Sequence, residues 1–165
     1  MLPASASKKT VSWKSDKPEV ATVDSMGKVT AVANGEAVIS ATTTDGSKKV
    51  ATATVTVTTP VAGVSVAPVK LVFSTSDTAA TAAKSVDATV LPATASNQKL
   101  VWTLEGAGAD KFALTVDEST KSAKLAIATG KTVTVADAPM LKVKSEGNSA
   151  AAQTVLVSVV ENVIP

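Results

Sequence analysis

The chain contains no cysteine, histidine, tyrosine or arginine. Each absence removes a class of chemistry. Without Cys there is neither a disulfide staple nor a thiol nucleophile. That is compatible with a reducing cytoplasm but does not require one. Without His and Cys, Ser-His-Asp and Cys-His arrangements are impossible. All 16 basic residues are lysines, scattered along the chain against 14 acidic residues. The planar fork of Arg, the usual reader of phosphates and base edges, is missing, which argues against a nucleic-acid partner. Scattered lysines also make no polybasic membrane patch. Aromatic residues are only 2% of the chain, namely Trp13, Trp102, Phe73 and Phe112. No apolar run approaches the roughly 20 residues that span a bilayer, so membrane insertion is not expected. The stretch Met1-Leu2-Pro3-Ala4-Ser5 has neither the charged nor the apolar region of a signal peptide.

What remains is rich in small and β-branched residues. The hydrophobic fraction, 45%, is mostly Ala and Val, with Thr and Ser filling much of the rest. Val and Thr suit a pleated, half-buried surface. Period-two alternation marks several strands. Val11 and Trp13 share one face, with Ser12 and Lys14 on the other. Val29, Ala31 and Ala33 alternate with Thr30 and Val32, and Val38 and Ser40 with Ile39 and Ala41. Met26-Gly27, Asn34-Gly35 and Asp45-Gly46 are turn signals, and the last two favour tight hairpins. The Ala-rich stretch at residues 79–84 reads as a connection, because Val86, Ala88 and Val90 resume strand alternation at once. Short strands at this spacing predict an all-β sandwich.

The chain also repeats itself. Leu2-Pro3-Ala4 precedes Trp13, and Leu91-Pro92-Ala93 precedes Trp102, at one offset of 89 residues (91 − 2 and 102 − 13). Lys17 to Asp24 matches Asp110 to Asp117 at an offset of 93 (117 − 24), which places a short insertion around Gly106-Ala107-Gly108. Both copies end in an alternating strand, at residues 51–58 and 153–160. Two domains are therefore expected, at residues 1–59 and 60–165.

The first copy carries Val11-Ser12-Trp13-Lys14-Ser15, Pro18-Glu19-Val20-Ala21-Thr22-Val23-Asp24, Gly27-Lys28-Val29-Thr30-Ala31-Val32 and Gly35-Glu36-Ala37. In order and spacing these resemble the bacterial Ig-like domain, group 2. The second copy is similar to a diverged member that keeps the Leu-Pro-Ala and Trp elements. The resemblance implies tandem immunoglobulin-like β-sandwich domains without catalytic residues. It also implies a spacer, adhesive or decorating role, since the family occurs in bacterial surface adhesins and in phage tail and capsid proteins. Fold alone does not choose among these.

The second copy has about 30 residues of strand-like sequence ahead of Leu91-Pro92, including Val61 to Val66 and Ser85 to Val90, whereas only Met1 precedes Leu2-Pro3. The first domain is thus expected to lack its opening strands. A domain of about 60 residues is already marginal, and a missing strand bares a sheet edge. Three explanations stand open: a fragment of a longer chain, strands supplied by other protein subunits, or a reduced sandwich packed on the second domain.

Few residues offer chemistry. Asp16, Glu19 and Asp24 cluster in the first copy, and Asp110, Asp117 and Glu118 in the second. Calcium takes several such oxygens, but ordinary solvated turn carboxylates is the favoured reading. Asn162 beside Glu161 would need a buried lysine to form an isopeptide cross-link, and nothing in the sequence places one there. Trp13 and Trp102 could anchor a ligand, but Trp in the third strand of such a sandwich is normally core. No catalytic, cofactor-binding or metal-binding residue is therefore assigned, and no cofactor is expected. The expected function is a non-catalytic phage virion auxiliary protein that decorates capsid or tail. Its expected partners are capsid or tail subunits, or its own copies, joined by strand addition. The alternatives are a bacterial cell-surface adhesin stalk and, third, an accessory carbohydrate-binding module meeting cell-surface glycans.

Overall fold

The computed structural model describes residues 10–162, in two compact units, Met1–Thr59 and Pro60–Pro165. The first holds β1 (Val11–Ser15), β2 (Ala21–Val23), β3 (Val29–Ala31), β4 (Gly35–Thr43) and β5 (Val50–Val57). One sheet runs β1-β4-β5 and the other β2-β3, all antiparallel. Core residues come from both sheets. Val20, Ala21 and Ala37 are buried together, with Val55 and Val57 packed against them.

The motif glycines are explained by close packing. Gly27 has φ +85°, and a Cβ there would lie 2.6 Å from Cζ2 of Trp13. The turn between β2 and β3 is thus pressed against the indole, and only a residue without a side chain fits. A Cβ on Gly35 would lie 3.0 Å from a Val20 methyl. Met26-Gly27 closes the β2–β3 hairpin, and residues 44–49, with Asp45-Gly46, close β4–β5. Asn34-Gly35 does not form the expected hairpin. β3 pairs with β2 while β4 pairs with β1 and β5, so this turn carries the chain from one sheet to the other. The dipeptide encodes backbone freedom, not which strands its arms will join.

The second unit holds β6 (Gly63–Ala67), β7 (Lys70–Ser74), β8 (Ala83–Leu91), β9 (Leu100–Glu105), β10 (Phe112–Asp117), β11 (Ser122–Ile127), β12 (Met140–Ser145) and β13 (Ala152–Val160). A single 3-10 turn, Ala109–Lys111, precedes β10. The sheets run β10-β11-β8-β6 and β7-β13-β12-β9. Pro68 and Val69 separate β6 from β7. Pro removes a ladder donor, and here the opening strand breaks in two, one half in each sheet. β7 runs parallel to β13, whereas every other pair is antiparallel. Leu71, Phe73, Leu141 and Val155 from one sheet meet Val86, Phe112, Leu125 and Ile127 from the other. The Phe73 and Phe112 rings meet edge to face, centroids 5.1 Å apart, a geometry the ring quadrupoles favour. The result is a β-sandwich.

The Trp102 half of the repeat is thus described in full. The Leu2-Pro3-Ala4 half lies outside the described residues.

Candidate functional site

The two units share a register, so their strands can be matched among the described residues. Trp13 on β1 stands opposite Ala41 of β4, as Trp102 on β9 stands opposite Val143 of β12. From there β1-β4-β5 matches β9-β12-β13, and β2-β3 matches β10-β11. In the second unit β7 lies along the far edge of β13, and β8 followed by β6 along the far edge of β11. Among the described residues the first unit has no counterpart of β6, β7 or β8.

The consequence falls on side chains that point at the core. Directly paired residues of an antiparallel ladder project to the same face. Ala31 pairs with the buried Ala21, and Val29 with Val23, yet every residue of β3 is exposed. Ile39 is 3% exposed, but its partner Ala53 is open. Ala37 is fully buried, while its partner Val55 is only half-buried. The matching positions of the second unit are closed. Ala123 and Leu125 stand where Val29 and Ala31 do, and Val155, Val157 and Val159 where Ala53, Val55 and Val57 do. All five are at most 6% exposed. Fully covering a half-open Val is worth on the order of 1 kcal/mol.

The β5 edge has a second property. Exposed edges are usually blunted by charge, proline or shortness. The eight residues of β5, Val-Ala-Thr-Ala-Thr-Val-Thr-Val, carry no charge and no proline. The opposite edge, β1, is five residues long with Lys14 inside it. Half of the β5 backbone groups point away from β4, since antiparallel pairing uses alternate residues.

The carboxylates are engaged locally. Asp16 accepts the Val38 N–H at 2.6 Å, joining the end of β1 to β4. Asp24 accepts the N–H groups of Met26 and Lys28, both at 2.9 Å, and so fixes the β2–β3 turn. Asp45 and Asp117 each hold a turn. The hydroxyls of Ser47 and Ser119 respectively, joined by backbone N–H groups, keep their carboxyls below the usual range. Asp110 makes only an exposed pair with Lys131 at 3.8 Å. Among the described residues no group of three His, Cys, Asp or Glu could hold a metal ion.

One carboxylate the sequence reading passed over is buried. Asp137 accepts Lys111 Nζ at 2.9 Å and the Thr134 N–H at 2.6 Å. The Lys111 ammonium, first, and the Thr134 N–H hold its carboxyl below the ordinary value. A Cβ on Gly108 would collide with Asp137, so the Gly-Ala-Gly insertion is shaped to seat this pair.

Neither tryptophan stands free. Trp13 is half-buried against Gly27, and Trp102 is half-buried against both core clusters of its unit. Trp102 borders a groove of about 350 Å³, shared with Gln98, Lys99, Glu118, Lys121 and Glu146. Several of its polar groups already pair with each other: Lys121 donates to Gln98 at 2.6 Å, and Lys99 lies 3.9 Å from Glu146. Glu161 and Asn162 are both exposed, unlike the buried setting an isopeptide needs.

No curated protein matches the chain. Among solved structures, domains 4 and 5 of the S-layer protein SbsC align at 17% identity over 96% of this chain and 74% of that one, with a TM-score of 0.45. A longer SbsC structure, residues 31–844, aligns at 17% identity over 96% of this chain and 21% of that one, at 0.44. The human desmocollin-1 ectodomain aligns at 14% identity over 92% of this chain and 35% of that one, at 0.47. Residues 1–55, nearly the whole first unit, match the family model of the bacterial Ig-like domain (group 2).

Proposed function

We propose that this chain is a non-catalytic structural and binding protein that attaches to a larger protein assembly through its first Ig-like unit. The observation that carries this reading is the pair of open strand edges, β3 and β5, whose counterparts in the second unit are covered. Backbone groups and small apolar side chains, rather than charge, then supply the contact. On this reading the assembly is a phage virion, with the chain as an auxiliary, decorating component of capsid or tail. That setting provides many identical neighbouring subunits to present strands.

The second reading is a stalk on the bacterial cell surface. It is favoured by the serial arrangement, in which β5 ends at Val57 and β6 begins at Gly63, a short connection suited to a string of modules. An antibody against this chain, applied to gradient-purified particles and to cell envelopes from the source culture, separates the two. Label on particles supports the virion reading. Label confined to envelopes overturns it in favour of the stalk. Label only on free soluble protein overturns both.

A further inference from the structure

The two tryptophans occupy matching positions, but their surroundings differ. In the first unit five residues, 24–28, join Val23 to Val29, and Gly27 among them presses on the indole of Trp13. In the second unit six residues, 117–122, join the matching pair, Val116 and Ala123. That turn reads Asp-Glu-Ser-Thr-Lys-Ser and has no glycine to bring it against the ring. The groove of about 350 Å³ opens beside Trp102 instead. It is lined from β9 and β10, the end strands of the two sheets.

The groove has an apolar side and a polar rim. Leu100 and Trp102 on β9 and Val116 on β10 supply the first. Val116 shares the core-facing side of β10 with Phe112 and Leu114, yet it is 40% exposed where the groove meets it. Gln98, Lys99, Glu118, Lys121 and Glu146 make the rim. Its two ammonium groups balance its two carboxylates. A ligand of either sign would meet as many like charges as opposite ones, and like charges brought together cost affinity. The groove therefore suits a neutral ligand with an apolar face and hydrogen-bonding groups around its edge. Carboxylates accept hydroxyl protons, ammonium groups donate, and the Gln98 amide does both. An aromatic wall with a few placed polar groups is the usual makeup of a small-ligand site. The volume lies near the lower end of the roughly 300–1,000 Å³ such sites span.

We propose that the groove beside Trp102 is a binding site for a neutral mono- or disaccharide. The C–H face of a sugar ring lies against the indole, and its hydroxyls reach the rim. Glu118 is the first acceptor, because among the described residues it has no hydrogen-bond or ion-pair partner to give up. Lys121 is held in place, since its ammonium donates to Gln98 at 2.6 Å. Lys99 and Glu146, 3.9 Å apart and both largely exposed, separate at little cost. The site lies wholly in the second unit, so its test is separate from that of attachment through the first.

The full chain is titrated with cellobiose, lactose and N,N′-diacetylchitobiose and followed by NMR. At least one sugar should give saturable 1:1 shifts at the Trp102 indole N–H, Val116, Glu118 and Lys121, and none at Trp13. Half-saturation is expected on the order of 1 mM. It should change less than about twofold on adding about 0.5 M salt, since the ligand carries no charge to screen. Val116→Phe fills the groove from an exposed position and should abolish the response. Lys121→Gly removes a rim donor at φ +54°, a conformation glycine adopts freely. It should weaken binding about three- to tenfold, the usual worth of one hydrogen bond, without lowering the urea midpoint. If Val116→Phe lowers that midpoint, Lys121→Gly alone decides.

No shift with any of the three sugars at about 50 mM overturns the proposal. So does tighter binding of glucuronic acid or of tri-alanine at the same residues, which would make the ligand an anion or a peptide. Sugar-induced shifts that persist unchanged in both folded variants also overturn it.

Discussion

Replacing Gly27 by alanine should strongly destabilise the first unit while leaving the second unchanged. The change adds one methyl group, and its cost has two parts. Gly27 sits at φ +85°, where an L-residue pays about 1–2 kcal/mol. The new Cβ would also lie 2.6 Å from Cζ2 and 2.8 Å from Cε2 of Trp13. An indole is rigid, so the ring or the turn must shift, adding about 1–3 kcal/mol of overpacking strain. The sum is roughly 2–5 kcal/mol. A unit of this size has a total stability of about 3–9 kcal/mol at the usual per-residue value. Urea denaturation followed by NMR reads the two units separately. The β1–β5 signals of Gly27→Ala should be lost at far lower urea than in the wild type, with β6–β13 unchanged. Trp13→Leu combined with Gly27→Ala should recover the steric part but not the backbone part. A Gly27→Ala chain whose first unit unfolds with the wild-type midpoint would refute the packing of this turn against the indole.

Further outcomes follow from the second unit. Leu125→Ala, at a fully buried position, should cost about 2–5 kcal/mol, measured by urea denaturation, and leave β1–β5 signals unchanged. Asp137→Asn should cost about 1–3 kcal/mol at neutral pH, because the Lys111 and Thr134 donors lose a charged acceptor; partial exposure of Lys111 holds the figure to that range. The Asp137 carboxyl is depressed below its unfolded value of 3.8. Its contribution is therefore present above that pH and is lost as pH falls through the lower folded value. Wild type and Asp137→Asn should converge in stability as pH drops below about 4, and a gap that stays constant from pH 7 to pH 2 would contradict the assignment.

The residues that read most clearly in the sequence were those whose packing is local. Gly27, Gly35 and Asp24 belong to a motif in which turn, indole and carboxylate lie within a few residues or one strand of each other. The Trp13 and Trp102 offset exposed the repeat because a large ring on a core-facing position is hard to place by composition alone. What the sequence concealed was pairing. Asn34-Gly35 looks like a hairpin because local dipeptides specify φ and not the partner sheet. The alternation of Val29 and Ala31 correctly marks a strand with a core-facing side, but burial of that side depends on a covering strand that no local pattern reports. β7 was also missed. Val69 to Ser74 alternates, but a parallel partner 86 residues away (Leu156 against Lys70) has no turn signal to announce it. Among the carboxylates, Asp137 was overlooked because its partner Lys111 is distant in sequence, while Asp16, Asp24, Asp110 and Asp117, which the sequence groups, each make a separate local contact.

The openness of the first unit is measured most directly by amide hydrogen exchange on the isolated, monomeric full chain. The outward-pointing amides of β5, such as Thr54 and Thr56, and those along the free side of β3 should exchange orders of magnitude faster than the matching amides of β13 and β11. Equal, strong protection of the two sets in the monomer would mean that something within the chain already covers those edges, and the account of an unfinished first sandwich would be wrong.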